Sequence, residues 1–329
     1  MSIVTVFQLE GNWYKGNLHV HSTFSDGQLK PEEIVQLYKN KGYSFISITD
    51  HNIYIDHTHL DSDSFITLPG VEVSVNNVYG DKPPFGMHVI AVARKLPAGF
   101  KNFQQFPTED HERIDSIQAY LDYLREKGML LILAHPVWHG LEIYDYMDLK
   151  GFIGMEIFNS DCDADGGRGY SVLQWDSLLR RNIRLLGFAT DDSHRFVREW
   201  IDWNGGYIVV KAPSLTRDDI IKAIENGMFY ASQGPEIYNF SYDEESNSLC
   251  VSCSPVKQIR FLTYERRGQV IYAPGNETIT EAKYLLRNEG IYNFARVEVI
   301  DQNGKIAYTN PVFFHDGYVH QRLMQNRCK

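Results

Sequence analysis

Short apolar runs alternate with amphipathic stretches through the first two-thirds of the chain. Gly16 to His21, Phe45 to His51, Ile66 to Glu72, Met87 to Val92, Met129 to His135, Phe152 to Phe158 and Ile183 to Ala189 have the length and the flanking turn residues of strands. Between them lie helical patterns. Pro31 opens a helix with Glu32 and Glu33 in its first turn and an apolar face of Ile34, Leu37 and Tyr38, stopped at Gly42. A longer stretch, about Thr108 to Lys127, sets Ile114, Ile117, Tyr120, Leu121 and Leu124 at helical spacing before Gly128. Val172 to Arg181 and a capped stretch from Ser214 to Gly227 complete the set. This rhythm predicts an α/β domain with a parallel sheet. After Gly234-Pro235 the texture changes to short alternating runs with no helix: Ile237 to Tyr242, Ser248 to Cys253, Gln258 to Tyr264, Val270 to Tyr272, Ala282 to Leu286, Tyr292 to Ile300 and Lys305 to Phe314. Asp301-Gln302-Asn303-Gly304 is a hairpin turn between the last two. The expected organisation is residues 1–234 as the α/β domain and 235–329 as a small Ig-like β-sandwich.

The strand-like runs end in residues that can hold a metal. On a strand, side chains alternate, so His19 and His21 point one way while Leu18 and Val20 face the core. Asp26 follows in a Ser-Asp-Gly turn. Taken alone, such a pair also fits two polar residues at a domain edge. Further along, however, runs end at His51, Glu72, His135 and Asp192-Ser193-His194, and another opens with His88. Functional groups at successive strand ends are what a parallel barrel gathers over one mouth. An open doubly wound sheet gives the same pattern, but several strand ends sharing one site favour closure.

The His-x-His with Ser-Asp-Gly, Thr49-Asp50-His51, Pro69-Gly70-Val71-Glu72, Ala134-His135-Pro136 and Asp192-Ser193-His194 stand in the order of the PHP (polymerase and histidinol phosphatase) superfamily of metal-dependent phosphoesterases, which this chain resembles from about Trp13 to Pro235. The lead-in Gly11 to His19 is further similar to the branch that includes carbaryl-hydrolase-like metallohydrolases, and the second half to two-domain relatives. The resemblance implies a distorted (β/α)7 barrel. It also implies a metal set, in which His19, His21, Glu72 and Asp192 hold a first ion. Glu72 bridges to a second with His88 and His194, and Asp26, His51 and His135 hold a third. Asp26, where relatives vary between His and Asp, favours manganese or iron over zinc. Two to three divalent ions (Zn, Mn or Fe) are thus expected, with a bridging hydroxide directed at phosphorus. Glu72 and Asp192 are the carboxylates expected to carry the catalysis.

Other residues are candidates by position. His139 lies four residues past His135 and could serve as proton donor. Asn159, Arg168 and Arg195 follow strand ends and could contact a substrate phosphate. Asp50 and Asp191, each beside a ligand, could orient imidazoles. Asp161 to Gly166 resembles the start of a calcium loop, but the twelfth position is Val172 in place of glutamate, so it reads as a polar loop over the mouth. His57, His59, His111, His315 and His320 read as surface or loop histidines.

Composition narrows the function classes. With 329 residues, 43% hydrophobic, 18 Phe, 20 Tyr and 5 Trp, the chain can fill a large core and a small one. A net charge of -10 without a basic run argues against long nucleic acid and for small substrates. No leader pattern and no apolar run of about 18 residues predicts a cytoplasmic protein without a membrane contact. Among the 4 cysteines, Cys250 and Cys253 form one C-x-x-C, with Cys162 and Cys328 distant, which suits reduced structural thiols. Asn276-Glu277-Thr278 reads as a turn. The leading expectation is a phosphoesterase acting on a nucleotide or other phosphorylated metabolite. The alternatives are a carboxylic ester or carbamate metallohydrolase and a non-catalytic PHP scaffold binding a partner or glycan.

Overall fold

The computed structural model describes residues 3–7, 10–77, 85–96, 99–106, 109–111, 114–196, 202–264, 268–286, 293–315 and 318–320. The strand Asn12–Asn17 lies parallel to Phe45–Ile46, and Gly16 is required there because a Cβ would overlap the Phe45 ring. Past Asn17 the ladder is irregular, since the His19 N–H turns to the Asn17 side chain, yet pairing persists through Thr49 N–H to Val20 O. Two isolated parallel bridges then close the sheet: Val20 with Ser193, just beyond Leu186–Thr190, and His51 with Glu72 in Gly70–Asn77. The ring continues through Phe85–Ala93, Met129–Leu133 and Phe152–Asn159 back to Leu186–Thr190. It is a mixed α/β barrel in which Phe85–Ala93 alone runs antiparallel to both neighbours.

Several elements differ from expectation. The Ile66 to Glu72 run breaks after Ile66–Thr67, because Pro69 has no N–H for the ladder, and Glu72 stands near the start of the next strand. The helix expected from Thr108 begins at Ile114, and Glu109–His111 instead pairs parallel with Val75 to Asn77 at a sheet edge. Asp161 to Gly166 is not a loop: Ser160–Gly166 is a short helix whose N-cap Asn159 accepts the Cys162 N–H. Tyr207–Ala212 and Phe229–Ser232 are strands that the pattern did not single out. The remaining helices stand near their predicted places: Pro31–Asn40 with Pro31 at its start, Val172–Arg180, and Arg217–Glu225 capped by Thr216.

After Pro235 the chain forms two packed sheets. One is four-stranded, with Ile3–Thr5 at its edge followed by Ile237–Asp243, Ser248–Val256 and Ile279–Leu285. The other holds Gly268–Tyr272, Gln258–Thr263, Phe294–Ile300 and Ile306–Thr309, the last two joined by the Asp301 to Gly304 turn. Neither stops at the expected boundary. Ile306–Thr309 pairs with Phe229–Ser232, which pairs through Tyr207–Ala212 with Asn12–Asn17, so one 11-stranded sheet runs from sandwich into barrel. One apolar cluster likewise includes Leu18, Phe45 and Phe229 together with Phe240, Phe261 and Val297. Buried Asn310 fastens the two parts, accepting the Gly187 N–H at 2.9 Å and donating to Phe229 O at 3.0 Å. Arg296, fully buried, donates to both carboxylate oxygens of Asp176, on the helix Val172–Arg180, at 2.9 and 3.0 Å.

A chain ending at Gly234 keeps every expected ligand but bares the edge of Phe229–Ser232 and the shared apolar face. It is expected to aggregate, as size-exclusion chromatography would register. A monodisperse fragment that binds metal would contradict this.

Candidate metal centre

Alternation places the central carboxylate. Val71, Val73 and Val75 enter one apolar cluster, so Glu72 points the opposite way, into the mouth, with no exposure. Its Oε1 lies 3.2 Å from His19 Nε2, 2.9 Å from His88 Nδ1 and 3.1 Å from His135 Nε2. Its Oε2 lies 3.3 Å from His21 Nε2 and 2.8 Å from His51 Nδ1. Asp192 Oδ1 stands 3.1 Å from His19 Nε2 and 3.0 Å from His21 Nε2. Asp192 and His135 have positive φ, 57° and 23°, a conformation that costs a non-glycine residue of order 1–3 kcal/mol. Each is held there by its own N–H, Asp192 to His19 O and His135 to Glu156 Oε2.

The expected ligands come together, but in different company. His194 groups with His21, Asp26 and His51, and His135 groups with His88 and His139. Chain pairing dictates this exchange. Gln28 N–H donates to His194 O at 2.8 Å, tying His194 to the turn that carries Asp26, whereas Ala134 N–H donates to His88 O, tying His135 to His88. Asp26 is the outermost member, 58% exposed and 3.4 Å from His194 Nε2 and 3.6 Å from His51 Nε2.

The donor set fits divalent ions. His19 Nε2, His21 Nε2, His135 Nδ1, Glu72 Oε2 and Asp192 Oδ1 are buried without a hydrogen-bond partner, although most of them crowd within a few ångströms of one another. Buried polar atoms are normally paired, so this concentration of unmet nitrogen and carboxylate atoms marks a place for a cation. Electrostatics agree. Burial opposes charge on His19 and His21, but carboxylates outweigh it: Asp192, Glu72 and Glu156 hold His19 well above its ordinary pKa, and the charges of Asp192 and Glu72 push His21 up to about 10. Burial would raise Glu72 and Asp192, yet the imidazoles hold both well below the carboxylate range. Without ions, the cluster holds protons in the place of cations.

Glu156 is the residue that sequence reasoning missed. It sits in an otherwise apolar strand, fully buried, with Oε1 2.7 Å from His19 Nδ1 and Oε2 accepting His135 N–H and Asn159 Nδ2–H at 2.8 and 2.9 Å. A glutamate between Met155 and Ile157 was the available signal. By taking the His19 Nδ1 proton it turns Nε2 into the ligating atom. Glu156→Gln is expected to weaken metal binding about 10–100-fold, measured by chelator competition, and unchanged affinity would refute this role.

The secondary candidates are redistributed. Asp50 accepts Ser22 N–H and the hydroxyls of Ser22 and Ser25, so it shapes the Asp26 turn and reaches an imidazole through Ser25 Oγ, 3.4 Å from His21 Nδ1. Asp191 accepts the N–H groups of Asn204, Gly205 and Gly206 and the Tyr38 hydroxyl, and burial pushes it up to about 6. Asn159 is buried, donating to Glu156 and Asp192, so it steadies the ligands and is not a substrate contact. Arg168 is exposed and does not line the mouth. Arg195 does line it, in a cavity of about 300 Å³ with Asp26, His51, His88, Trp138 and His194. Burial, then the charges of His135 and His88, lower His139 to about 2 and favour its neutral ring. His57 is buried, not on the surface, and His59 is exposed. The side chains of His111, His315 and His320, and all of Cys328, lie outside the described residues. Cys162, Cys250 and Cys253 are free thiols.

Part of this chain is similar to known proteins. Residues 17–158 match the PHP domain. A 79-residue stretch is 33% identical to the DNA polymerase/3'-5' exonuclease PolX of Bacillus subtilis, covering 18% of this chain and only 14% of that protein. An uncharacterized protein of Methanocaldococcus jannaschii is 24% identical over 183 residues, 52% of this chain and 89% of its own. Among solved structures, a two-domain protein containing a predicted PHP-like metal-dependent phosphoesterase from Bacteroides vulgatus aligns over 93% of this chain and 98% of that one, at 15% identity and a TM-score of 0.47. The span of residues 17–158 that matches the PHP domain carries His19, His21, Asp26, His51, Glu72, His88 and His135.

Proposed function

We propose that this protein is a metal-dependent hydrolase that cleaves a small phosphate ester, a nucleotide or another phosphorylated metabolite. The observation that carries the reading is the set of unpartnered buried donor atoms around Glu72 beneath an open cavity. His19, His21, Glu72 and Asp192 would hold one ion, Glu72, His88 and His135 a second, and Asp26, His51 and His194 a third, making two to three of zinc, manganese or iron. Bound there, divalent ions supply Lewis-acid polarisation of a phosphoryl oxygen and a water acidic enough to attack near neutral pH.

The chain's own groups do the rest. Glu72 and Asp192 fix the imidazoles in one register, and Glu156 locks the tautomer of His19. Trp138 walls one side of the cavity and Arg195 offers its fork at the rim. Asp26, Asp161, Asp165 and Asp192 also line that cavity, so without cations it repels an anion. A phosphate ester therefore suits the ion-loaded site, whose several positive centres match several anionic oxygens. The net charge of -10 disfavours a long polyanion as substrate. Among the described residues no helix is long and apolar enough to cross a membrane.

The test is an assay of protein loaded with manganese, iron or zinc on nucleoside monophosphates, sugar phosphates, a bis-aryl phosphodiester and an aryl carboxylate. Turnover of a phosphate ester that is abolished in His19→Ala/His21→Ala is the expected result. Turnover of the carboxylate alone would establish the carboxylic ester or carbamate reading, and silence from fully metallated protein would favour a binding scaffold.

A further inference from the structure

Three imidazoles stand together on the His88 side of Glu72. His88 and His135 are expected ligands, and His139 joins them with its ring centroid 4.4 Å from His88 and 5.0 Å from His135. Each of the three offers a nitrogen within 4.8 Å of the others'. The chain winds as one turn after His135, with Trp138 N–H and His139 N–H both directed at His135 O, which returns the residue four positions on to the same side. Gly86 lies against the ring, at a place where a Cβ would be in ordinary contact with His139 Cε1 at 3.4 Å. Trp138 stands nearly perpendicular to it at 5.0 Å. In this setting His139 Nε2 is buried and has no hydrogen-bond partner. A ring packed in place with a nitrogen that meets neither water nor protein awaits a ligand, and the nearest unmet chemistry is that of the two other imidazoles.

We infer that His139 is a further protein ligand of the ion held by Glu72, His88 and His135. This rests on the metal-dependent reading of the same site. Three imidazoles and one carboxylate fill a tetrahedral set, so this position has the ligand count of a closed zinc-type site and takes a borderline transition ion, Zn²⁺ or Co²⁺, ahead of Mg²⁺ or Ca²⁺. The position of Asp26, His51 and His194, with its exposed carboxylate, is then the readily exchanged one.

The experiment is titration of metal-stripped full-length protein with Zn²⁺ against a chromophoric chelator, and with Co²⁺ followed by visible absorption. It compares wild type with His139→Ala and His139→Gln, whose metal-free melting temperatures report whether each still folds. The expected result is one ion whose affinity falls on the order of 100-fold in His139→Ala, less in His139→Gln, with loss of intense tetrahedral cobalt bands. Wild-type affinity and an unchanged cobalt spectrum in both variants would overturn the inference and leave the metal-dependent reading standing. A wild type that takes up no metal would overturn both.

Discussion

Glu72→Gln releases at least one ion and lowers turnover by about 10²–10³-fold or more, because a single neutral amide replaces the charge that His19, His21, His51, His88 and His135 all face. No other carboxylate among the described residues touches so many of the ligands. The same substitution changes the pH dependence of the metal-free protein. His19, His21 and His135 have raised pKa values, so their contribution to stability is complete below the ordinary 6.5 and is lost as pH rises through the folded value, about 10 for His21. Glu72 and Asp192 have depressed values, so theirs is present above the ordinary 4.5 and 3.8 and lost only in stronger acid. Stripped wild type should therefore owe most to this cluster between about pH 4.5 and 6.5 and lose that contribution toward pH 10, while Glu72→Gln flattens the alkaline slope. Metal uptake at pH 7.5 should release protons, fewer in the variant, as a pH indicator in weak buffer would read. Equal proton release and equal metal content in the two proteins would refute the central place given to Glu72.

Arg296→Ala should cost about 3–5 kcal/mol in urea unfolding, because it strands the carboxylates of Asp176 and Glu298 in the interior. Arg296 has no exposure, grips Asp176 with two parallel N–H donors, reaches Glu298 at 2.8 Å and lies over the Trp175 ring at 5.0 Å. Exposed pairs set the contrast: Arg125 and Asp122, 48% and 46% exposed, are worth about 0–1 kcal/mol. Replacing Arg296, Asp176 and Glu298 together by apolar residues of similar size should restore most of the loss, since a buried ion network need not outperform good packing. A single substitution as mild as a surface one would mean that water reaches the pair. Metal content should follow stability and not change on its own.

The clustered residues were legible because a period of two and a strand end are written locally, in His19-Val20-His21 or Ala134-His135-Pro136. Their grouping in space was not, since it depends on which strand neighbours which: His194 joins Asp26 because Gln28 reaches across to it, a contact between residues far apart in sequence. Glu156 escaped for another reason. A carboxylate in a buried strand reads as an exception to the apolar pattern unless its three-dimensional partners are known. The boundary near Pro235 illustrates the same limit. The change from β/α rhythm to short strands is a true change of architecture, but sequence texture does not show that Phe229–Ser232 continues into Ile306–Thr309 or that Ile3–Thr5 belongs to the far sheet.

That shared sheet sets the order in which the protein can be made. Ile3–Thr5 leaves the ribosome long before its hydrogen-bonding partners at Ser241 to Asp243, and Phe229–Ser232 waits for Thr309. The residues up to Ser232 must therefore remain with an unpaired edge and uncovered apolar side chains until Ile306–Thr309 has been synthesised. Such long-range closure makes folding slow and exposes a sticky intermediate during translation. A premature stop or a pause late in the message would be felt at the metal ligands, even though all of them were synthesised long before.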